Sequence, residues 1–133
     1  MTTRYVQRGN EGQHQEALFD WANHLIYKYP ELKYLYHIPN GGKRDARTAI
    51  ILKREGVKAG IPDICLPVSR KGYHGLYIEL KVGKNKPTEK QKKWIEILNQ
   101  QGYFATWCTG WTDAAKIIQA YLDSENKGKE VLE

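Results

Sequence analysis

The sequence predicts an α/β fold: a central mixed β-sheet flanked by helices on both faces. Three observations carry this. Four stretches have helix signals, such as apolar residues at helical spacing, a capping residue or a glycine stop. Four short runs are rich in aromatic and branched residues, as strands are. The two kinds interleave as helix, strand, helix, hairpin, helix, strand, helix, and that order calls for helices on both faces of a sheet.

Taken in order, residues from about Glu11 to Tyr29 form an amphipathic helix whose stripe is Leu18, Trp21, Ala22, Leu25 and Tyr29, ended by Pro30. Tyr34 to Pro39 suits a short strand. "NGGKRDAR" is a glycine-rich basic loop running into a helix that ends near Gly56, with Lys53, Arg54 and Lys58 adding positive charge. Asp63 to Val68 and Leu76 to Val82 are strands of a hairpin joined by "SRKGYHG". Thr88 caps a helix packed through Trp94, Ile95 and Leu98 and stopped at Gly102. Tyr103 to Cys108 is a strand, and Thr112 is the expected cap of a last helix carrying Ile117, Ile118, Tyr121 and Leu122. We read 1–133 as one domain with its core in about 10–122 and a polar tail from 123 to 133.

Composition narrows the function classes. The 133 residues carry a net charge of +6, and the pI near 9.3 favours a polyanionic partner. Mean hydropathy of −0.68 speaks against a membrane span. The start "MTTRYVQRGNEGQ" lacks an apolar signal-peptide core, so a cytoplasmic location is expected. Cys65 and Cys108 have no second cysteine or histidine at zinc-finger spacing and read as buried free thiols. The chain has no Gly-x-x-x-x-Gly-Lys-Ser/Thr loop, so no nucleotide cofactor is expected.

The chemistry concentrates in "GIPDICLPVSRKGYHGLYIELKVG", residues 60–83. Strand alternation puts Leu76, Ile78, Leu80 and Val82 on one face and Tyr77, Glu79 and Lys81 on the other. Asp63, on the neighbouring antiparallel strand, can converge with Glu79 on that polar face. A hard divalent cation such as Mg²⁺ takes oxygen ligands, commonly one or two carboxylates, and the Leu80 backbone carbonyl lies within reach of the same ion. Lys81 beside them can orient or deprotonate an attacking water or offset charge on a phosphoryl transition state. The plainer reading makes Asp63 a loop residue and Glu79 with Lys81 a solvent-facing ion pair. A His-Asn-His site built on His37 and Asn40 lacks a further histidine at a suitable spacing.

The ordered set Gly60-Ile61-Pro62-Asp63, Glu79-Leu80-Lys81 and Gln91 resembles the VRR-NUC branch of the PD-(D/E)XK nuclease superfamily. "EGQHQEALFDWA", with Glu11 and Gln15, is similar to that family's first helix; "HIPNGGKR" is similar to the loop after its first strand; "LKREGVKAGIPD" is similar to its approach to the catalytic aspartate. The resemblance implies a restriction-endonuclease-like core and a Mg²⁺- or Mn²⁺-dependent DNA endonuclease. It makes Asp63, Glu79 and Lys81 the catalytic triad, with Gln91 beside them and Glu11 as a further metal ligand. Glu16 shares the first helix but falls nearly opposite Leu18 and Leu25, so Glu11 is preferred. Gln91 has a second role open to it, because Thr88-x-x-Gln91 is also a capping box.

Small standalone members of this family, to which the chain is similar in size, look like homodimers that prefer branched DNA such as four-way junctions, encoded by bacteria or their phages. Expected DNA contacts are Asn40, Lys43, Arg44, Arg47, Lys53, Lys84 and Lys86. Exposed aromatics among Tyr5, Tyr27, Tyr34, Tyr36, Trp107 and Trp111 can line a subunit interface. The alternative is a catalytically silent basic DNA-binding module with the same fold.

Overall fold

A computed structural model describes residues 9–39 and 45–124. Its elements are helix α1 (Glu11–His24), a 3₁₀ turn (Pro30–Tyr34), strand β1 (Tyr36–His37), helix α2 (Ala46–Arg54), strands β2 (Ile64–Leu66) and β3 (Leu76–Lys81), helix α3 (Glu89–Gln100), strand β4 (Phe104–Thr109) and helix α4 (Trp111–Asp123). The four strands form one sheet in the order β1-β2-β3-β4. The first two pairings are antiparallel and the third is parallel, so the sheet is mixed.

β3 lies between two neighbours and is buried along nearly its whole length. Leu76, Ile78 and Leu80 face the core, at 1% exposure or less. There they meet Leu18 and Ala22 of α1 and Ala114, Ile118 and Leu122 of α4. Each Leu or Ile among them, once buried, contributes about 1.5–3 kcal/mol. The alternate residues point to the other side, toward α3, where Gln91 reaches Glu79. Asn99 of α3 pairs both backbone groups of Ala105 in β4, at 2.9 and 3.0 Å, which occupies part of an otherwise free sheet edge.

Local chemistry explains the boundaries. α1 opens with a capping box between Asn10 and Gln13, and α3 opens with the one expected between Thr88 and Gln91. The β2–β3 connection turns at Lys71 and Gly72, with φ of 50° and 84°. Two positive φ values are what a type I′ hairpin turn requires. Tyr121 Oη donates to the Val68 carbonyl at 2.6 Å, and Arg70 pairs with Glu31 at 2.9 Å. These bonds tie the hairpin to α4 and to the 3₁₀ turn.

Three sequence expectations are corrected here. α1 stops at His24 instead of continuing to Tyr29; the chain then folds through tight turns, with Lys28 N and Tyr29 N both donating to the Leu25 carbonyl, before Pro30 starts the 3₁₀ segment. That turn takes up the beginning of the expected Tyr34–Pro39 strand and leaves β1 two residues long. α4 starts at Trp111, so Thr112 lies inside its first turn and Gly110 holds the cap position. Both cysteines are buried and free, as their surroundings suggested.

α2 differs from the other helices because none of its residues is buried. Its Ile50 and Ile51 are 56% and 47% exposed. No described helix is long and apolar enough to cross a membrane.

Gly60 fixes the approach to β2. It adopts φ 94°, and a Cβ there would sit 2.9 Å from the backbone carbon and oxygen of Lys90 in α3. Neither a left-handed side chain nor a shifted helix backbone comes without strain. Gly60→Ala is therefore expected to destabilise the fold by roughly 1–3 kcal/mol in chemical denaturation. An unchanged midpoint would show that α3 can yield at this contact.

Candidate active site

The register of the hairpin brings the two acidic residues together. Ile64 pairs with Ile78 and Cys65 with Tyr77, so continuing one step past β2 sets Asp63 opposite Glu79. Directly opposed residues share a face. Asp63 is held from three sides: its carbonyl accepts from Ile38 N at 2.6 Å and from His37 Nδ1 at 3.0 Å, and its Oδ2 accepts from Leu80 N at 3.0 Å. The amide and carbonyl of one strand residue leave on the same edge, so the Leu80 carbonyl faces the Asp63 side too. His37 spends Nδ1 on the Asp63 backbone and so buttresses the aspartate.

Glu79 is 1% exposed. Its Oε2 accepts from Gln91 Nε2 at 3.0 Å and lies 3.4 Å from Lys81 Nζ. Its Oε1 is buried and has no hydrogen-bond partner. An ionised carboxylate in such a place loses several kcal/mol of hydration. One charge-assisted hydrogen bond returns only about 1.5–3 kcal/mol. Desolvation wins, Asp63's negative charge adds to it, and the nearby lysine only partly offsets both: the Glu79 carboxyl is pushed up to about 8.

Gln91 joins two structures with one amide. Its Oε1 accepts from Thr88 N at 2.9 Å to complete the capping box, while its Nε2 serves Glu79. The cap fixes the side chain at one end and thereby aims the other.

Glu11 lies in the first turn of α1, half-buried, and its carboxyl is raised by burial, lowered in part by Lys81 and raised further by Asp63. Its charge is therefore felt at the same place. Glu16 is exposed and reaches none of these groups in any described bond. Among the described residues no three His, Cys, Asp or Glu side chains converge as a self-sufficient metal cage. Mg²⁺ does not need one, since it commonly takes one or two carboxylates and completes its shell with water. The bare Glu79 Oε1, facing a second carboxylate, is the kind of atom a divalent cation would satisfy.

The basic residues fall in two places. Arg47 and Lys53 lie exposed on α2. Lys84 and Lys86 lie exposed just past the end of β3 that carries Glu79 and Lys81, and Lys86 Nζ sits 5.4 Å from the Trp107 ring centroid. Asn40, Lys43 and Arg44 fall outside the described residues. Gly60 belongs to the motif read from the sequence, but its close contact with α3 is long-range and had no local sign. His14 was not singled out by sequence, and its place at the i+3 position from Glu11 and i−4 from Leu18 is the signal that was there.

Because folding raises the Glu79 carboxyl, the folded state binds more protons than the unfolded chain between the ordinary glutamate range and about pH 8. Stability from this group is complete below that window and is lost as pH rises through it. In EDTA, the melting temperature should fall between pH 5 and pH 8, and Glu79→Gln should flatten that slope; a wild-type profile already flat would contradict the raised carboxyl.

Comparisons with known proteins identify the family. The sequence model of the VRR-NUC domain matches residues 9–111. A solved structure described as a VRR_NUC domain protein superposes with a TM-score of 0.77 at 34% identity, over 90% of this chain and 93% of the other. Among curated proteins none matches significantly. With the family pattern covering most of its length and Asp63, Glu79, Lys81 and Gln91 gathered at one end of its sheet, the chain belongs to the VRR-NUC domain family of nucleases.

Proposed function

We propose that this protein is a Mg²⁺- or Mn²⁺-dependent endonuclease that hydrolyses phosphodiester bonds in DNA, selective for branched DNA such as four-way junctions and working as a homodimer. The observation that carries the reading is the bare Oε1 of Glu79, buried opposite Asp63. A protein that only bound DNA would gain nothing from two carboxylates there, since they repel phosphate unless a cation stands between. The silent binding module therefore leaves the costliest feature of the site without a use.

Asp63, Glu79 and the Leu80 carbonyl would hold the ion, with Glu11 acting on its water shell. When bound, the cation supplies Lewis acidity toward a phosphoryl oxygen and lowers the pKa of a water. Gln91 keeps Glu79 Oε2 engaged so that Oε1 is the oxygen left to bind. Lys81, only 8% exposed and held 3.4 Å from Glu79, presents an ammonium with little freedom. It would orient the attacking water and offset charge gathering on the phosphorus oxygens. Arg47, Lys53, Lys84 and Lys86 would contact phosphates away from the scissile bond, and Asn40, Lys43 and Arg44 are proposed to do the same.

Junction selectivity rests on the family resemblance and on symmetry, because two sites related by a two-fold axis match the symmetry of a four-way junction. α2 and the turn after it form the surface we assign to the second copy, since Ile50 and Ile51 on the helix and Val57 just past it are exposed apolar residues.

Incubating the protein with linear, flapped and four-way DNA, with Mg²⁺, Mn²⁺ or EDTA, tests activity and preference together. Glu79→Gln and Asp63→Asn should abolish cleavage and leave binding intact, or tighter without metal; cleavage retained by either would overturn the mechanism. Lys81→Ala should lose about 10²–10³-fold in turnover, the loss typical of removing one group that stabilises developing charge. In light scattering, Ile50→Glu with Ile51→Glu should convert a dimer to a folded monomer, and an unchanged dimer would move the interface elsewhere.

A further inference from the structure

Where α4 begins, the chain offers no capping side chain of its own. Gly110 stands at the cap position with φ 83°, and no side chain there accepts from the first-turn amides. The acceptor comes from α1, 97 residues earlier: His14 Nδ1 lies 3.1 Å from Trp111 N. A ring nitrogen that accepts a backbone N–H carries no proton, so this imidazole is neutral with its hydrogen on Nε2. The ring is 3% exposed, and Nε2 is buried without a partner. An unsatisfied buried donor costs about 1–3 kcal/mol, whereas a helix cap returns about 1 kcal/mol. Capping α4 does not by itself explain a histidine at this position.

What the ring adds is a connection between two parts of the site. Gly110 N donates to the Lys81 carbonyl at 2.8 Å, which fixes the β4–α4 corner to the residue that carries the ammonium. His14 stands one helical turn after Glu11 on the buried side of α1. The ring thus bridges the turn bearing Glu11 and the corner bonded to Lys81. Glu11 reaches the site from a helix packed on the core face, while Glu79 and Lys81 project from the other face. No strand register fixes that distance; it depends on how α1 packs against β3 and α4, and the His14 bond is a polar contact that pins α1 to the α4 start at this end.

We propose that His14 is a positioning residue: by capping α4 from α1 it sets where Glu11 stands relative to Asp63 and Lys81, and so tunes cation binding at the site. The link to the cation rests on the nuclease reading; the coupling between the cap and the first turn of α1 does not.

His14→Phe keeps the ring and removes the acceptor, while His14→Asn keeps an acceptor near the Nδ1 position in a smaller side chain. In the Phe variant, amide-exchange protection should fall at Trp111 and at residues 14–17 of α1. Mn²⁺ affinity by electron paramagnetic resonance should weaken about tenfold or more, as when groups supporting a metal site are removed. The Asn variant should recover most of both. His14→Phe and Glu11→Gln should be non-additive in Mn²⁺ affinity, because one acts through the other. Wild-type Mn²⁺ affinity in a Phe variant that has lost Trp111 protection, or additive losses in the pair, would overturn the proposal.

Should the Phe variant fail to fold, the Asn variant decides: a tenfold loss of affinity with Trp111 protection intact would overturn it as well. If the wild-type protein binds no Mn²⁺, the nuclease reading fails instead. Exchange protection alone then judges the coupling, and an unchanged first turn of α1 in the Phe variant counts against it.

Discussion

Two carboxylates facing each other across adjacent strands, one of them almost fully out of water, form the constraint on which the rest of this structure depends. Hydrogen bonds alone do not stabilise them as a pair of anions. Glu79 receives one from Gln91 and a neighbouring ammonium from Lys81, and its second oxygen receives nothing. Such an arrangement is tolerable only if the carboxyl keeps its proton or a cation supplies the missing charge.

The fold keeps that tension in place by giving β3 two incompatible neighbourhoods. Its Leu76, Ile78 and Leu80 lie in the apolar layer with α1 and α4, and this layer anchors the strand. Its Glu79 and Lys81 are thereby fixed on the opposite face, where both are buried and Gln91 of α3 reaches Glu79. Asp63 gains its position from hydrogen bonds on both sides: its carbonyl accepts from Ile38 N and His37 Nδ1, and its Oδ2 accepts from Leu80 N. Gly60 lets the chain pass close under α3 just before it. The site is rigid because its residues belong to strands and helix ends already fixed by the core, which suits a catalytic group that must be held to within fractions of an ångström.

Membership of the VRR-NUC domain family places this arrangement in a nuclease context. The similar solved structure is covered over 93% of its length, so the two chains are of nearly the same extent. Within that shared frame, α2 and the loop past β3 carry basic residues on the outside of the fold. Surface cations give long-range attraction to a polyanion without rearranging the core.

Much of this was legible in the sequence because it is local. A period of two puts Glu79 and Lys81 on one face, a period of 3.6 favours Glu11 over Glu16, and Thr88-x-x-Gln91 announces a helix start. Errors occurred where tertiary packing overrode local signals: the stripe through Leu25 and Tyr29 looked like more helix, yet the chain turns there into the 3₁₀ segment, and Thr112 looked like a cap that His14 instead provides from another helix. By itself, then, the sequence determined the element order, the mixed α/β class and which side chains share a strand face, since those follow from backbone periodicity. Only the tertiary structure decided which oxygen of Glu79 is bare, that Gln91 reaches it, and that His14 meets Trp111. Each of those depends on distances between segments remote along the chain, which are fixed by the packing of the core and have no local signature.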